Sequence, residues 1–312
     1  MRWVTFERSP AGLSAGSSAG KGGKRLGLLS GDQVAELSAS GDPRFESAES
    51  MLAAGSEAMT GARRLADAAP VHALAQVRLH APVTRPRKFL ALGLNYRQHA
   101  LEAEAAGIPI PKHQVWFNKQ VTCVNGPNDD IHLPQVSDKL DYEGELALVI
   151  GRAARHVRAE DAREVIAGIT VANDVSVRNW QMRAPTWTLG KSFDTHGPLG
   201  PSLVTLDEVP DLHDLTLSTY VNGERRQHTS TSDMIYRVGE MIEHLSKVFT
   251  LEPGDVLLTG TPSGIGSAMN PRRYLVAGDV VRVEIDGIGA IENRVVPEPP
   301  APDWRERTPH CA

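Results

Sequence analysis

The sequence has few cysteines, few aromatic residues and no long apolar run. Its 312 residues include only two cysteines, Cys123 and Cys311, and 5% aromatic residues. Two cysteines cannot build a disulfide framework, and neither belongs to a Cys-x-x-Cys pair that would hold a metal. No apolar stretch approaches the roughly 20 residues of a membrane-spanning helix. We therefore expect a reduced, cytoplasmic protein that is not embedded in a membrane.

An excess of basic charge is also missing. The net charge is −5 and the lysines and arginines are scattered. A nucleic-acid-binding surface needs a basic stripe, so we expect no nucleic-acid partner. Residues 9–24 are rich in serine and glycine and end in lysines. They could form a transit peptide, but strand-like sequence on both sides favours a flexible hairpin loop.

Short apolar runs separated by Gly, Pro, Asn and Asp fill most of the chain, and helical patterns are fewer. Helices are predicted over residues 45–66, 159–167 and 238–249. Because the strands do not alternate regularly with helices, the pattern favours a β-rich α+β fold over a doubly wound sheet or a TIM barrel. We predict a small N-terminal α/β domain over residues 1–82, a catalytic domain over residues 83–298 and a tail over residues 299–312.

A cluster of acidic residues gives the first sign of chemistry. Glu143 and Glu145 are two apart and run into a strand-like segment, so their side chains should project from one face. Asp174 follows another apolar run and would supply a third oxygen ligand. Carboxylates without nearby thiols or paired histidines favour a hard cation: Mg²⁺ first, then Mn²⁺, with Ca²⁺ also compatible. The alternative is an exposed acidic strand face without a metal.

Other side chains could act on a bound molecule. His99 and Glu102 are three apart in a segment of helical character, where a carboxylate would orient the imidazole as a general base. Lys191 could pair with a substrate carboxylate or a developing oxyanion. The glycine-rich residues 259–266 could bring backbone N–H groups close to an anion. Each feature could also be ordinary surface chemistry: a His/Glu pair, a solvated lysine or a plain turn.

Several segments in this order resemble the fumarylacetoacetate hydrolase family: residues 92–99, 141–147, 172–176, 190–194, 251–255 and 259–266. The resemblance spans about two thirds of the chain. It implies a mixed β-sandwich-like roll as the catalytic domain, usually in a homodimer. It also implies a magnesium or manganese ion on Glu143, Glu145 and Asp174.

The resemblance further implies roles for single residues. His99 and Glu102 match a water-activating pair on a segment that closes over the substrate, and Lys191 matches a lysine that faces it. Arg178, Gln181 and Thr261 match positions close to the substrate. Residues 103–118 and 183–187, with Trp116, Phe117, Trp180 and Trp187, are expected near the variable end of the pocket.

The function expected from this resemblance is hydrolysis of a carbon–carbon bond in a 2,4-dioxo acid, of the acylpyruvate or diketo sugar acid type, giving pyruvate and a carboxylic acid. His99 would deprotonate water, and Lys191 would stabilise the pyruvate enolate. Two alternatives use the same scaffold: an oxaloacetate decarboxylase, and an isomerase or hydratase of 2-oxo-dienoic acids. A non-catalytic protein that binds a metal or a keto acid is a more distant alternative.

Overall fold

The computed structural model describes residues 1–8 and 23–300. The predicted flexible loop therefore lies outside the described residues for positions 9–22. The predicted tail lies outside them for positions 301–312.

The described residues form strands and short helices in the following order. The strands are β1 Arg2–Arg8, β2 Arg25–Ser30, β3 Gln33–Glu36, β4 Val71–Ala73, β5 Val77–His80, β6 Phe89–Gly93, β7 Val115–Asn118, β8 Val124–Asn125, β9 Ile131–Leu133, β10 Leu140–Asp141, β11 Gly144–Ile150, β12 Ile166–Asn173, β13 Ser176–Val177, β14 Gly197–Thr205, β15 Thr216–Val221, β16 Glu224–Ser230, β17 Val256–Leu258, β18 Val280–Ile285 and β19 Gly289–Pro297. The α-helices are α1 Ala48–Ala54, α2 Ser56–Ala66, α3 Arg97–Ala105, α4 Arg178–Gln181 and α5 Val238–Val248.

Two sheets pack face to face and confirm the predicted β-rich α+β fold. A 12-stranded sheet has the main order β4-β3-β2-β1-β14-β12-β11-β17-β6-β7, and a five-stranded sheet has the order β16-β15-β18-β19-β9. Strands β11 and β12 of the first sheet pack against β15, β18 and β19 of the second. Strand β1 pairs with β14, so the N-terminal strands extend the large sheet. The predicted domain boundary near residue 82 stays a prediction.

The central strands are apolar throughout because both of their faces are covered. In β11, Leu146 and Leu148 belong to the core between the two sheets, whereas Ala147 and Val149 belong to a core on the opposite face. Side chains alternate between the faces of a strand, so a continuous apolar run is what two buried faces require. The first residues of this strand therefore lie in the protein interior, and Glu145 is 1% exposed.

Two predicted helices differ from the structure. The helix predicted over residues 45–66 is divided at Gly55, whose φ of 82° is outside the helical range. The helix predicted over residues 159–167 is wrong: a 3₁₀ turn covers Ala159–Glu164, and β12 begins at Ile166. Pairing of β12 with β11 and β14 overrides the local helical preference of that segment. The helix predicted over residues 238–249 is confirmed as α5.

Within the described residues, no helix is both long and apolar enough to cross a bilayer.

A buried histidine makes the stability of the fold depend on pH. His196 is fully buried, and its Nε2–H donates to the backbone oxygen of His132 at 2.8 Å. Burial lowers the pKa of His196 from 6.5 to about 3. As pH falls below 6.5, His196 becomes protonated in the unfolded chain but stays neutral in the folded chain. The stability associated with this group is therefore complete above pH 6.5 and is lost as pH falls towards 3.

We predict that His196→Gln, which keeps a donor for His132 but cannot titrate, reduces this loss. Between pH 7.5 and 5.5 the wild type should lose about 1 kcal/mol more free energy of unfolding than the variant. Urea unfolding of both proteins at the two pH values measures the difference. Equal losses in the two proteins would contradict the assignment.

Candidate active site

The candidate site lies where the start of β11 meets the end of β12. The two strands are antiparallel, and Gly144 pairs with Asn173. Glu143 and Glu145 flank Gly144, and Asp174 directly follows Asn173. The backbone N–H of Asp174 also donates to the oxygen of Glu143 at 2.8 Å. The strand register therefore brings together acidic residues that are about 30 positions apart in sequence.

The three predicted metal ligands form a compact buried group. One carboxylate oxygen from each of Glu143, Glu145 and Asp174 lies within 4.8 Å of the others. Their side chains are buried, with exposures of 6%, 1% and 0%. Carboxylates so close together, and so far from water, repel one another unless cations are present.

Three cationic side chains reach this group. Lys191 Nζ donates to Glu143 and to Asp174, each at 2.6 Å. Lys119 Nζ donates to the other oxygen of Asp174 at 2.7 Å. Arg178 donates to Glu143 at 2.6 Å and to Asp141 at 2.8 Å. Glu143 and Asp174 are thus held by bonds from both sides.

Glu145 lacks such a cation. Among the described residues it takes part in no salt bridge, and its one hydrogen bond comes from the backbone N–H of Gly260 at 2.6 Å. Burial raises the pKa of Glu145 well above its ordinary value, and repulsion from Asp174 and Glu143 adds to the rise. The site holds one more carboxylate than cations, counting Asp141. A divalent cation beside Glu145 would change the net charge of these groups from −1 to +1 and give Glu145 a cationic partner, so the residues fit a bound metal ion.

The pKa of Glu143 shifts in the opposite direction. Burial alone would raise it, but the charges of Lys191 and Arg178 outweigh burial and lower it to about 2. Arg178 in turn has a raised pKa: burial disfavours its charge, but Asp141 and Glu143 more than compensate. Glu143 is therefore ionised at neutral pH, as a metal ligand must be.

The predicted pair on α3 faces the same cavity. His99 Nδ1 lies 2.9 Å from an oxygen of Glu102, and the second oxygen of Glu102 accepts from the backbone N–H of Gly264 at 3.1 Å. A carboxylate accepts hydrogen bonds, so the proton of the imidazole lies on Nδ1 and leaves the Nε2 lone pair free. The imidazole is held in the orientation and tautomer that a general base needs.

The glycine-rich loop at residues 259–266 binds carboxylates of the protein itself. Its backbone N–H groups donate to three acidic side chains: Gly260 to Glu145, Gly264 to Glu102 and Gly266 to Asp141. Gly260 has a φ of 98°, a conformation that glycine adopts at little cost. The backbone N–H groups therefore lie close to anions, as expected, and these anions are acidic side chains of the candidate site.

The three residues that the resemblance places close to the substrate differ in whether their polar atoms already have hydrogen-bond partners. Arg178 Nη2 is buried and has no partner among the described residues, so it remains free to donate to a bound oxygen. Gln181 is buried and accepts from Arg178 at 3.0 Å. The hydroxyl of Thr261 donates to Gly144 and accepts from Gln227, so it is committed to the protein. All three line the cavity, and their substrate contacts stay predictions.

Two supporting residues were missed from the sequence. Lys119 follows the end of β7, and its Nζ joins Asp174 to the backbone oxygen of Lys191. Asp141 is the first residue of the matching segment 141–147, but the sequence analysis predicts no role for it. It accepts from Arg178 and from the N–H groups of Gly266 and Ser267. A single lysine after a strand gives no sequence signal, whereas the two-residue spacing of Asp141 and Glu143 gives one.

One cavity of about 420 Å³ is lined by eight of the residues described above: His99, Glu102, Glu143, Glu145, Arg178, Gln181, Lys191 and Thr261. Two of the aromatic residues expected near the pocket line it: Phe117 and Trp187, whose rings meet edge to face at 5.5 Å. Gly93 leaves room for the indole, since a Cβ at that position would lie 2.5 Å from the Trp187 ring. Trp116 and Trp180 pack against the core instead.

Comparison with known proteins agrees with this architecture. Residues 88–296 match the family described as fumarylacetoacetate (FAA) hydrolase C-terminal. The mitochondrial oxaloacetate tautomerase FAHD2B of Bos taurus is 42% identical over 279 residues, which are 88% of this chain and 88% of that protein.

Solved structures are similar over nearly the whole chain. A 5-carboxymethyl-2-hydroxymuconate delta-isomerase from Mycobacterium smegmatis has a TM-score of 0.73 and 34% identity. Maleylpyruvate hydrolase from Sphingobium sp. SYK-6, in complex with manganese(II) and pyruvate, has a TM-score of 0.77 and 31% identity. In both comparisons the match covers 96% of this chain and 100% of the other. The resemblance drawn from the sequence is therefore confirmed, and this chain belongs to the fumarylacetoacetate hydrolase family, whose members are enzymes.

Proposed function

We propose that this chain is a divalent-metal-dependent tautomerase that interconverts the keto and enol forms of a small 2-oxo dicarboxylic acid such as oxaloacetate. One observation carries the proposal: the oriented His99–Glu102 pair lines the same cavity as Glu143 and Glu145, two of the three converging carboxylates. Relatives named oxaloacetate tautomerase, at 42% identity over most of the chain, support this substrate class.

The 2-oxo acid end of the substrate would bind at the carboxylate group. Glu143, Glu145 and Asp174 would hold the metal ion, which supplies Lewis-acid stabilisation of negative charge on the keto oxygen. Arg178 Nη2, a buried donor that has no partner in the part of the chain that the structure describes, would bind a substrate carboxylate oxygen. The Lys191 ammonium uses two of its three N–H groups on Glu143 and Asp174, so the third remains for the enolate oxygen.

His99 would move the proton. Its Nε2 would take a proton from the carbon next to the keto group, and Glu102 would stabilise the imidazolium that forms. The same proton, returned to the oxygen, gives the enol, and the reverse path gives the keto form. No atom is gained or lost, so no co-reactant is needed. Helix α3 forms one wall of the cavity and limits the access of bulk water.

Hydrolysis of a 2,4-dioxo acid, the function expected from the sequence, is the second candidate. The same His99–Glu102 pair could deprotonate a water molecule instead of a substrate carbon. The similarity to a maleylpyruvate hydrolase that was solved with manganese(II) and pyruvate favours this candidate. Oxaloacetate decarboxylation and dienoate isomerisation remain alternatives on the same scaffold.

One set of assays separates these candidates. Tautomerisation accelerates the decay of enol absorbance of oxaloacetate without releasing pyruvate. Decarboxylation yields pyruvate and carbon dioxide from oxaloacetate, and hydrolysis yields pyruvate and a carboxylic acid from an acylpyruvate. A non-catalytic binding protein would bind these acids without turnover. Absence of metal-dependent enol decay would contradict the proposal.

The identity of the ion follows from its ligands. An all-oxygen set favours Mg²⁺, with Mn²⁺ as second choice and Ca²⁺ also compatible. The expected homodimer and the cytoplasmic location stay predictions; the name of the Bos taurus relative includes a mitochondrial location.

We predict that Glu145→Gln weakens Mn²⁺ binding by at least about 100-fold, since loss of an outer-shell partner alone costs 10- to 100-fold in metal affinity. The variant keeps the shape of the side chain and removes a carboxylate that forms no salt bridge within residues 1–8 and 23–300. Calorimetric titration with Mn²⁺ measures the change. The control is Glu252→Gln, an exposed carboxylate that pairs with Lys88, which should bind Mn²⁺ as the wild type does. Unchanged affinity in Glu145→Gln would refute its role as a ligand.

We predict that His99→Ala lowers the turnover rate by about 10²- to 10⁴-fold, the usual contribution of a general base, and leaves Mn²⁺ affinity within about twofold. Steady-state enol decay and Mn²⁺ titration measure the two effects. The control is His244→Ala, an exposed histidine on α5, which should behave as the wild type. If His99→Ala kept normal turnover, the proton would move by another route.

A further inference from the structure

The loop after the glycine-rich segment is fixed to the candidate site by hydrogen bonds. The backbone N–H groups of Gly266 and Ser267 donate to the two carboxylate oxygens of Asp141, at 2.8 and 2.9 Å. Asp141 also accepts from Arg178, which bonds to the predicted ligand Glu143. The loop therefore has a defined position relative to the carboxylate group.

The far end of this loop is closed as well. The backbone N–H of Arg273 donates to the oxygen of Gly266 at 2.9 Å. Residues 266–273 thus form a closed turn whose base is bonded to Asp141. Arg272 lies in this turn and lines the same cavity as His99 and Glu145.

Arg272 differs from the other permanent cations of the cavity wall. Arg178 and Lys191 line the cavity too, and each forms ion pairs with acidic side chains at 2.6–2.8 Å. Among the described residues, Arg272 takes part in no hydrogen bond or salt bridge, and its side chain is exposed. Its neighbour Arg273 is also exposed, but it forms a salt bridge with Glu224 at 2.9 Å.

We propose that Arg272 binds the second carboxylate of the substrate and so selects 2-oxo dicarboxylic acids over monocarboxylic ones. This inference rests on the proposed function, in which the 2-oxo acid end of the substrate occupies the metal site. A guanidinium group matches a carboxylate with two parallel N–H groups, which a lysine cannot do. The substrate then has an anchor at each end, with the reacting carbon between them and close to His99.

The apolar side chains of the cavity wall favour a substrate whose second carboxylate reaches Arg272 over one whose second charge lies against the apolar wall. Apolar side chains such as Phe117, Trp187 and Ile265 also line the cavity. A carboxylate against these groups would lose hydration without a partner, which is costly. Arg272 offers the second charge a partner that no acidic side chain occupies among the described residues.

The test compares oxaloacetate with acetylpyruvate, in which an acetyl group replaces the second carboxylate. For Arg272→Gln we expect kcat/KM for oxaloacetate to fall about 10- to 100-fold, the value of a charged hydrogen-bonded pair. Enolisation of acetylpyruvate should change by less than about twofold. The matched control is Arg273→Gln, which should leave the rates for both acids unchanged.

A binding measurement separates failure of this inference from failure of the proposed function. Calorimetric titration of the Mn²⁺-loaded wild type and Arg272→Gln with each acid gives the ratio of the two affinities without any turnover. If neither acid is turned over but Arg272→Gln still weakens oxaloacetate binding alone, the proposed reaction fails and the role of Arg272 stands. If both acids are affected equally, or neither is affected, Arg272 does not recognise the second carboxylate.

Discussion

The organisation of the site follows from an excess of buried negative charge. Asp141, Glu143, Glu145 and Asp174 meet three cations in an interior that water hardly reaches. Removing charges from water is expensive unless each has a partner, and the only partner of the Glu145 carboxylate among the described residues is a backbone N–H. A divalent cation would turn the deficit into a small positive excess, which then favours an anionic substrate. Metal binding and substrate binding thus have the same electrostatic origin in this account.

The fold supplies the burial and the register that create this excess. Because β11 and β12 are covered on both faces, the acidic residues at their adjoining ends have little contact with solvent. The loop at residues 259–266 adds N–H groups that position three of the acidic side chains around the cavity. The neighbouring turn carries Arg272 to the cavity wall. One strand pair and one loop therefore determine most of the geometry of the site.

The sequence predicted the features that depend on local pattern. Short apolar runs predicted the strands, and two-residue spacing predicted the approach of Glu143 and Glu145. Features that depend on distant pairing were not predictable. Residues 159–167 have helical composition, but the last two of them belong to β12, which pairs with two other strands. Likewise, nothing near Lys119 in sequence shows that it will reach Asp174.

The central claim is that the three carboxylates share one hard cation. Anomalous diffraction from crystals grown with saturating Mn²⁺ tests it most directly. The account predicts a single strong anomalous peak within coordination distance of Glu143, Glu145 and Asp174. A map without a peak at this position, with the three side chains ordered as described and the protein fully active, would contradict it.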